Sequence, residues 1–310
     1  LLISISKEEM MPKQSRRDFF KTTAALSAVT AGVTSTKIKA ESKDYIPDKA
    51  MGVLIDTTAC IGCRRCEWAC KVAHDMPTAS LDTYNDRTVF NEMRRPDHTA
   101  LTIVNEYPGK ELDQFPIDVK FQCMHCNSPA CVSACIVKAF HKHPNGTVTW
   151  DGDKCIGCRY CMVACPFQIP AFEFDKAIEP DIKKCDFCFE RTKVGKLPAC
   201  VEICPNEVLT YGKREELIDI AHKRIELYPD KYIDHVFGEF EVGGTSWMYL
   251  SSKEMPKLGL PDLPRATAPG VSESIQHGLF AYFVPPLALY AILGGVMWIN
   301  KNRKNSDTEE

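Results

Sequence analysis

Cysteine is the residue of this chain that most clearly offers chemistry. All sixteen cysteines lie between residues 60 and 204, in four groups with short internal spacings. The groups are Cys60, Cys63, Cys66 and Cys70; Cys123, Cys126, Cys131 and Cys135; Cys155, Cys158, Cys161 and Cys165; and Cys185, Cys188, Cys200 and Cys204. Since every cysteine falls into a group of four, one repeated kind of site accounts for all of them.

Two of the groups are copies of each other. CIGCRRCEWAC at 60–70 and CIGCRYCMVAC at 155–165 are identical at eight of eleven positions. Internal similarity of this kind indicates a repeated structural unit.

Three kinds of site use closely spaced cysteines. An even number of cysteines in an exported protein often indicates disulfides, but C-x-x-C-x-x-C-x-x-x-C directs three sulfurs toward one point. Zinc sites typically use two separated C-x-x-C pairs. The run C-x-x-C-x-x-C-x-x-x-C-P, which ends here at Pro166, is typical of proteins that bind [4Fe–4S] clusters. The pattern favours the third interpretation.

In two-cluster ferredoxins the fourth cysteine of a run binds the other cluster, so the groups must work in pairs. Residues 137–154, between the two central groups, predict a short helix, a turn at Asn145–Gly146 and a strand at 147–150. This spacing is typical of a two-cluster unit, which leaves the first and last groups to pair around it. The predicted ligand sets are Cys60, Cys63, Cys66 and Cys204; Cys123, Cys126, Cys131 and Cys165; Cys155, Cys158, Cys161 and Cys135; and Cys185, Cys188, Cys200 and Cys70.

The predicted fold is therefore α+β, with tandem bacterial ferredoxin-like modules, insertions and four [4Fe–4S] clusters in residues 41–210. Residues 211–275 form an extension and linker. Within them, 213–228 predict a surface helix, and the proline-rich stretch 258–270 predicts an extended linker.

The two ends of the chain indicate its location. Residues 1–40 contain SRRDFFK at 15–21 followed by an uncharged segment, which is typical of a twin-arginine export signal. Residues 276–301 are expected to form a single transmembrane anchor, since 278–300 carry no charge. The basic residues Lys301, Arg303 and Lys304 predict a cytoplasmic tail at 302–310 and a periplasmic cluster domain at the inner membrane.

Other function classes find little support. The net charge is −3 and no basic run is present, so nucleic acid is not an expected partner. No catalytic residue is predicted, because no paired carboxylates, nucleophile constellation or nucleotide-binding loop stands out. The absence of C-x-x-C-H argues against covalent c-type haem.

Several motifs resemble one protein family. QCMHC at 122–126, CRYCMVACPF at 158–167 and Cys204–Pro205 resemble the four-cluster ferredoxin-type subunits of membrane-bound oxidoreductases. YGKREEL at 211–217, GGT at 243–245, SESIQH at 272–277, the export signal and the single anchor are similar to the iron–sulfur subunit of periplasmic uptake nickel–iron hydrogenases of the hydrogenase-2 type.

This resemblance implies a non-catalytic electron-transfer subunit. Its expected partners are the hydrogenase small and large subunits and an integral membrane, quinone-reactive subunit. Two alternatives stay open. One is the iron–sulfur subunit of a periplasmic molybdopterin oxidoreductase, of the formate dehydrogenase or sulfur-compound reductase type, and the other is a zinc-binding membrane scaffold.

The export prediction can be tested at the arginine pair. Changing Arg16 and Arg17 together to Lys should leave the protein in the cytoplasm with its clusters assembled, as cell fractionation and iron analysis would show. The control Lys13→Arg changes a basic residue outside SRRDFFK and should be exported normally. Normal periplasmic delivery of the double variant would contradict the prediction.

Overall fold

A computed structural model describes residues 49–109, 115–270 and 286–298. The predicted export signal and tail lie outside these ranges. Of the predicted anchor only 286–298 are described, and they are helical. Across the described ranges, no helix combines the length and apolar character needed to cross a membrane.

A three-stranded sheet brings together distant parts of the chain. Its central strand β1 (Met51–Asp56) pairs antiparallel with β8 (Leu209–Lys213) and parallel with β9 (Trp247–Leu250). All of β9 and all of β1 after Met51 are buried, as expected for strands covered on both faces.

Three further antiparallel strand pairs lie within 49–109 and 115–270. They are β2 (Thr102–Tyr107) with β3 (Ile117–Gln122), β4 (Phe140–Lys142) with β5 (Val148–Trp150), and β6 (Ala171–Phe172) with β7 (Ile182–Lys183).

Most of the helices are short and carry cysteines. The α-helices of 49–109 and 115–270 are α1 (Arg65–Ala73), α2 (Ala130–Ser133), α3 (Tyr160–Ala164), α4 (Phe189–Lys193), α5 (Ala199–Glu202) and α6 (Arg214–Leu227). Single 3₁₀ turns lie at Leu81–Asn85, Thr88–Asn91, Gly152–Lys154, Glu241–Gly243 and Met255–Leu258.

The main hydrophobic core surrounds Trp247, Tyr249 and Phe187, each almost fully buried. It includes Cys123, Cys185 and Cys200 among its buried members, so the thiols belong to the core. A second core, under the β4–β5 hairpin, contains Cys131 and Cys161.

The predicted helix at 213–228 is confirmed as α6. Leu217, Ala221 and Ile225 recur at helical spacing and pack on Leu54 of β1. The buried Arg214 at its start donates to the carbonyls of Gly238, Glu239 and Thr245, which ties the helix to the segment entering β9.

Two local predictions differ from the structure. The expected helix in the first part of 137–154 is wrong: the segment contains β4, whose buried Phe140 pairs with Trp150 of the correctly predicted strand. The stretch 258–270 lies on the core instead of extending away from it. Leu258 and Leu260 are buried in the core because their apolar side chains fill space beside Tyr107 and Phe121.

Candidate metal centres

None of the sixteen cysteines, all of which lie within the described residues, forms a disulfide, and most are shielded from solvent. Seven are buried, eight are partly buried, and only Cys158 is exposed. A donor set of this size and burial suits iron–sulfur ligation, in which every iron takes a thiolate ligand.

The four C-x-x-C loops share one backbone geometry. The residue just before the second cysteine has a left-handed conformation in each: Gly62 (φ 63°), His125 (φ 48°), Gly157 (φ 67°) and Phe187 (φ 62°). Glycine enters this region freely, whereas His and Phe do so at some cost. The shared turn therefore persists where the sequence has no glycine.

Backbone amides donate to several of the sulfurs, in two cases from the residue at this turn. The N–H of Gly157 donates to Sγ of Cys155 at 3.5 Å, and the N–H of Phe187 donates to Sγ of Cys185 at 3.4 Å. The N–H of Ala139 donates to Sγ of Cys135 at 3.2 Å. Such donors stabilise a negatively charged sulfur.

Strand pairing brings the first and last cysteine groups together. β1 ends at Asp56, shortly before Cys60, and β8 begins at Leu209, shortly after Cys204. Because these strands are antiparallel, with Ile55 opposite Leu209, both cysteines emerge at the same end of the sheet. The β4–β5 hairpin does the same for Cys135 and Cys155, since Phe140 lies opposite Trp150.

The first predicted set lines one cavity. Cys60, Cys63, Cys66 and Cys204 all lie on the wall of one partly open cavity. The pKa of Cys60 is raised to about 12, and burial is the largest cause. The hydrogen bond from the N–H of Gly62 lowers this pKa, whereas the charges of Asp118, Cys63 and Cys204 raise it further.

The set that combines Cys70 with the last group is also brought together. Burial, followed by the charge of Cys70, raises the pKa of Cys185. The pKa of Cys188 is raised to about 11, first by burial and then by the charge of Cys200. Cys70 is in turn an electrostatic neighbour of Cys200.

The two central sets have the same crossed arrangement. The pKa of Cys126 is raised first by burial and then by the charges of its neighbours Cys165, Cys123 and Cys131. In the other set, the pKa of Cys161 is raised to about 12, first by burial and then by the charges of Cys155, Cys158 and Cys135.

Electrostatic influence between thiols links the four sets in a row. Cys66 of the first set has Cys200 of the last as an electrostatic neighbour. Cys185 has Cys123, from one central set, as an electrostatic neighbour. Cys131 of that central set has Cys161, from the other central set, as an electrostatic neighbour. The order is therefore Cys60 set, Cys185 set, Cys123 set and Cys155 set.

Two buried lysines, Lys120 and Lys184, and the partly buried Lys142 lie among these thiols, and no sequence pattern predicted them. Burial opposes the charge of Lys120, but the thiolates of Cys200, Cys66, Cys185 and Cys70 raise its pKa. Lys142 donates to the carbonyl of Cys126 at 2.8 Å, and Lys184 donates to the carbonyl of Cys185 at 2.9 Å. Positive charge inside the core offsets the negative charge that thiolate ligands bring there.

A hydrogen-bonded histidine–aspartate pair contacts two cysteines of the Cys185 set. Nε2 of His74 lies 2.8 Å from Oδ1 of Asp186, and its Nδ1 lies 2.8 Å from the carbonyl oxygen of Cys70. Asp186 also accepts from the N–H of Cys188 at 2.8 Å. Burial opposes protonation of His74, but its hydrogen bonds to Asp186 and Cys70 raise its pKa well above the ordinary value. The pair links two cysteines from opposite ends of the cysteine-rich region.

Comparison with known proteins defines the class. Residues 117–214 match the family model described as "4Fe-4S dicluster domain". Together with the fold, this match defines a mixed α+β, ferredoxin-like dicluster domain within a chain of sixteen cysteines.

Three relatives place the chain more narrowly. A protein of Nitratidesulfovibrio vulgaris strain Hildenborough is 49% identical over 79% of this chain, which spans 66% of that relative's length. Hydrogenase-2 operon protein HybA of Escherichia coli O157:H7 is 33% identical over 94% of this chain and 96% of HybA. The iron–sulfur subunit of the nitrate-inducible formate dehydrogenase of E. coli K12 is 31% identical over 86% of this chain and 91% of that subunit.

The chain belongs to the family of HybA-like, ferredoxin-type iron–sulfur subunits. It is an iron–sulfur electron-transfer subunit related to HybA and to the iron–sulfur subunits of formate dehydrogenases.

The duplicated glycines provide a test of the loop geometry. A Cβ at Gly62 would collide with the carboxylate of Asp118, whereas a Cβ at Gly157 would meet only Phe172, at 3.8 Å. Gly157→Ala should therefore cost about 1–2 kcal/mol from its left-handed backbone alone. Gly62→Ala should cost more and release iron, as thermal unfolding and iron analysis of the purified protein would show.

The two variants are matched controls, since both residues hold the same place in a repeated motif with nearly equal φ. Equal loss of stability and of iron in both would show that the contact with Asp118 is unimportant.

Proposed function

We propose that the chain holds four [4Fe–4S] clusters in tandem ferredoxin-like modules and relays electrons between a periplasmic catalytic module and a membrane subunit. The proposed ligand sets are those predicted from the crossed pairing. Its main support is that Cys204 lies with Cys60 and Cys63, although the three come from opposite ends of the cysteine-rich region.

The linear order of the thiol sets supports a relay. A set at each end of the row has one neighbouring set, and each central set has two. Each [4Fe–4S] group supplies one-electron transfer when it is bound. The protein residues hold the thiolates in sequence, exclude water from most of them, and place lysine charges among them.

We further propose nickel–iron hydrogenase subunits as the catalytic partner and an integral membrane, quinone-reactive subunit as the acceptor. The similarity to HybA over nearly the full length of both chains supports this choice. The same proposal includes twin-arginine export, a periplasmic cluster domain and a single C-terminal anchor, on the sequence patterns at 15–21 and 278–300.

The similarity to a formate dehydrogenase subunit favours a second candidate, a periplasmic molybdopterin oxidoreductase. Metals that copurify with the chain separate the two. Purification in detergent through a tag on this chain should yield nickel together with iron. Molybdenum or tungsten without nickel would instead favour the second candidate, and zinc in place of iron would support a scaffold.

The crossed ligation makes a prediction about single cysteines. Wild-type protein should contain about sixteen irons, four in each of four clusters. Cys204→Ala should abolish the same cluster signal in electron paramagnetic resonance (EPR) as Cys63→Ala, because both side chains are assigned to one cluster. Cys70→Ala should likewise match Cys188→Ala.

Ligation within each group would give the opposite correspondence. Cys204→Ala would then match Cys188→Ala, and Cys70→Ala would match Cys63→Ala. That result, or about eight irons per wild-type chain, would overturn the four assigned ligand sets.

A further inference from the structure

Lys120 is a cation enclosed in the core. It lies on β3 and is only 3% exposed. Alternation along the strand places it on the same face as Asp118 and Gln122. A buried lysine ordinarily needs a partner of opposite charge, because removing its ammonium group from water is costly.

The ammonium group of Lys120 is held in one position. Its Nζ donates to Oε1 of Gln122 at 2.8 Å and lies 4.4 Å from the centre of the Trp247 ring. Nε2 of Gln122 donates to the hydroxyl of Tyr249 at 2.8 Å, and this hydroxyl donates to the carbonyl of Lys120 at 2.8 Å. The hydrogen bonds form a closed ring of three residues, so the charge has a fixed position.

Cysteine thiols are the acidic groups that surround this charge. Within the described residues, no carboxylate forms an ion pair with Lys120. Its charged neighbours come from two sets: Cys66 from one, and Cys70, Cys185 and Cys200 from the other. Lys120 also lines the cavity formed by the first set.

We propose that Lys120 is a positioning residue that raises the reduction potentials of the two iron–sulfur groups held by the Cys60 set and the Cys185 set. The inference rests on the ligand sets of the proposed function. Reduction adds one electron, and therefore one negative charge, to each group, without making or breaking a bond. The fixed ammonium charge stabilises the reduced form more than the oxidised form, and the low dielectric of the core strengthens this effect.

The position of Lys120 also reduces repulsion between the two groups. Two neighbouring anionic groups become harder to reduce together, and a cation beside both screens that repulsion. Lys142 lies beside Cys126, Cys123 and Cys131 of one central set; burial lowers its pKa to about 8, and these three cysteines oppose that decrease. Removing each lysine should therefore affect different clusters.

Redox titration monitored by EPR tests the proposal on the detergent-purified complex, with dithionite as reductant and iron content measured in parallel. Lys120→Met and Lys120→Gln should keep the wild-type iron content and shift two of the four midpoint potentials to lower values. Lys120→Arg should restore both potentials, since it keeps the charge. Lys142→Met should shift a different cluster, and the exposed Lys223→Met should shift none.

Gln122→Glu provides a second test that leaves Lys120 in place. A carboxylate beside the ammonium would neutralise its field, so the same two potentials should fall. Unchanged potentials in Lys120→Met would overturn the proposal. If Lys120→Met loses iron, unchanged potentials in Gln122→Glu would overturn it instead. A wild-type protein with fewer than four reducible clusters would instead overturn the proposed function, which distinguishes the two failures.

Discussion

The convergence of thiols from distant parts of the chain is the constraint on which the rest of this structure depends. Cys60 and Cys204 can meet only if the segments that carry them lie side by side. The antiparallel pairing of β1 with β8 brings this about, and the β4–β5 hairpin repeats the solution for Cys135 and Cys155. These two strand pairings therefore bring together cysteine loops that are distant or separated in the sequence.

The electrostatics follow from the same arrangement. Thiols in a core have raised pKa values because burial disfavours the thiolate, as in Cys126 and Cys185. Iron binding requires thiolates, so folding, proton release and metal loading are coupled. Lys120, Lys142 and Lys184 place positive charge where thiolate charge accumulates, and their distribution differs from one set to the next.

Cysteine spacing is sufficient to predict four ligand sets, because the ligands of one metal centre must follow close geometric rules. At Gly62 and Gly157 the left-handed turn falls on the residue type that adopts it most readily. The equivalent turns at His125 and Phe187 carry no glycine, so only the shared backbone geometry reveals them. Helical periodicity was sufficient for α6, whose apolar stripe faces β1.

Predictions failed where tertiary packing outweighs local preference. The residues before Asn145 form a strand because Phe140 pairs with Trp150 across the hairpin. Leu258 and Leu260 join the core despite their proline-rich surroundings. Lys120 could not be recognised from its own sequence context, because the thiols around it come from segments as far apart as Cys66 and Cys200.

A structure of the iron-loaded complex, by cryo-electron microscopy or by crystallography with iron anomalous scattering, tests the central claim most directly. The account predicts four clusters in a row, with Cys204 on the cluster of Cys60, Cys63 and Cys66, and with Cys70 on the cluster of Cys185, Cys188 and Cys200. Clusters whose four ligands all come from one cysteine group would contradict it.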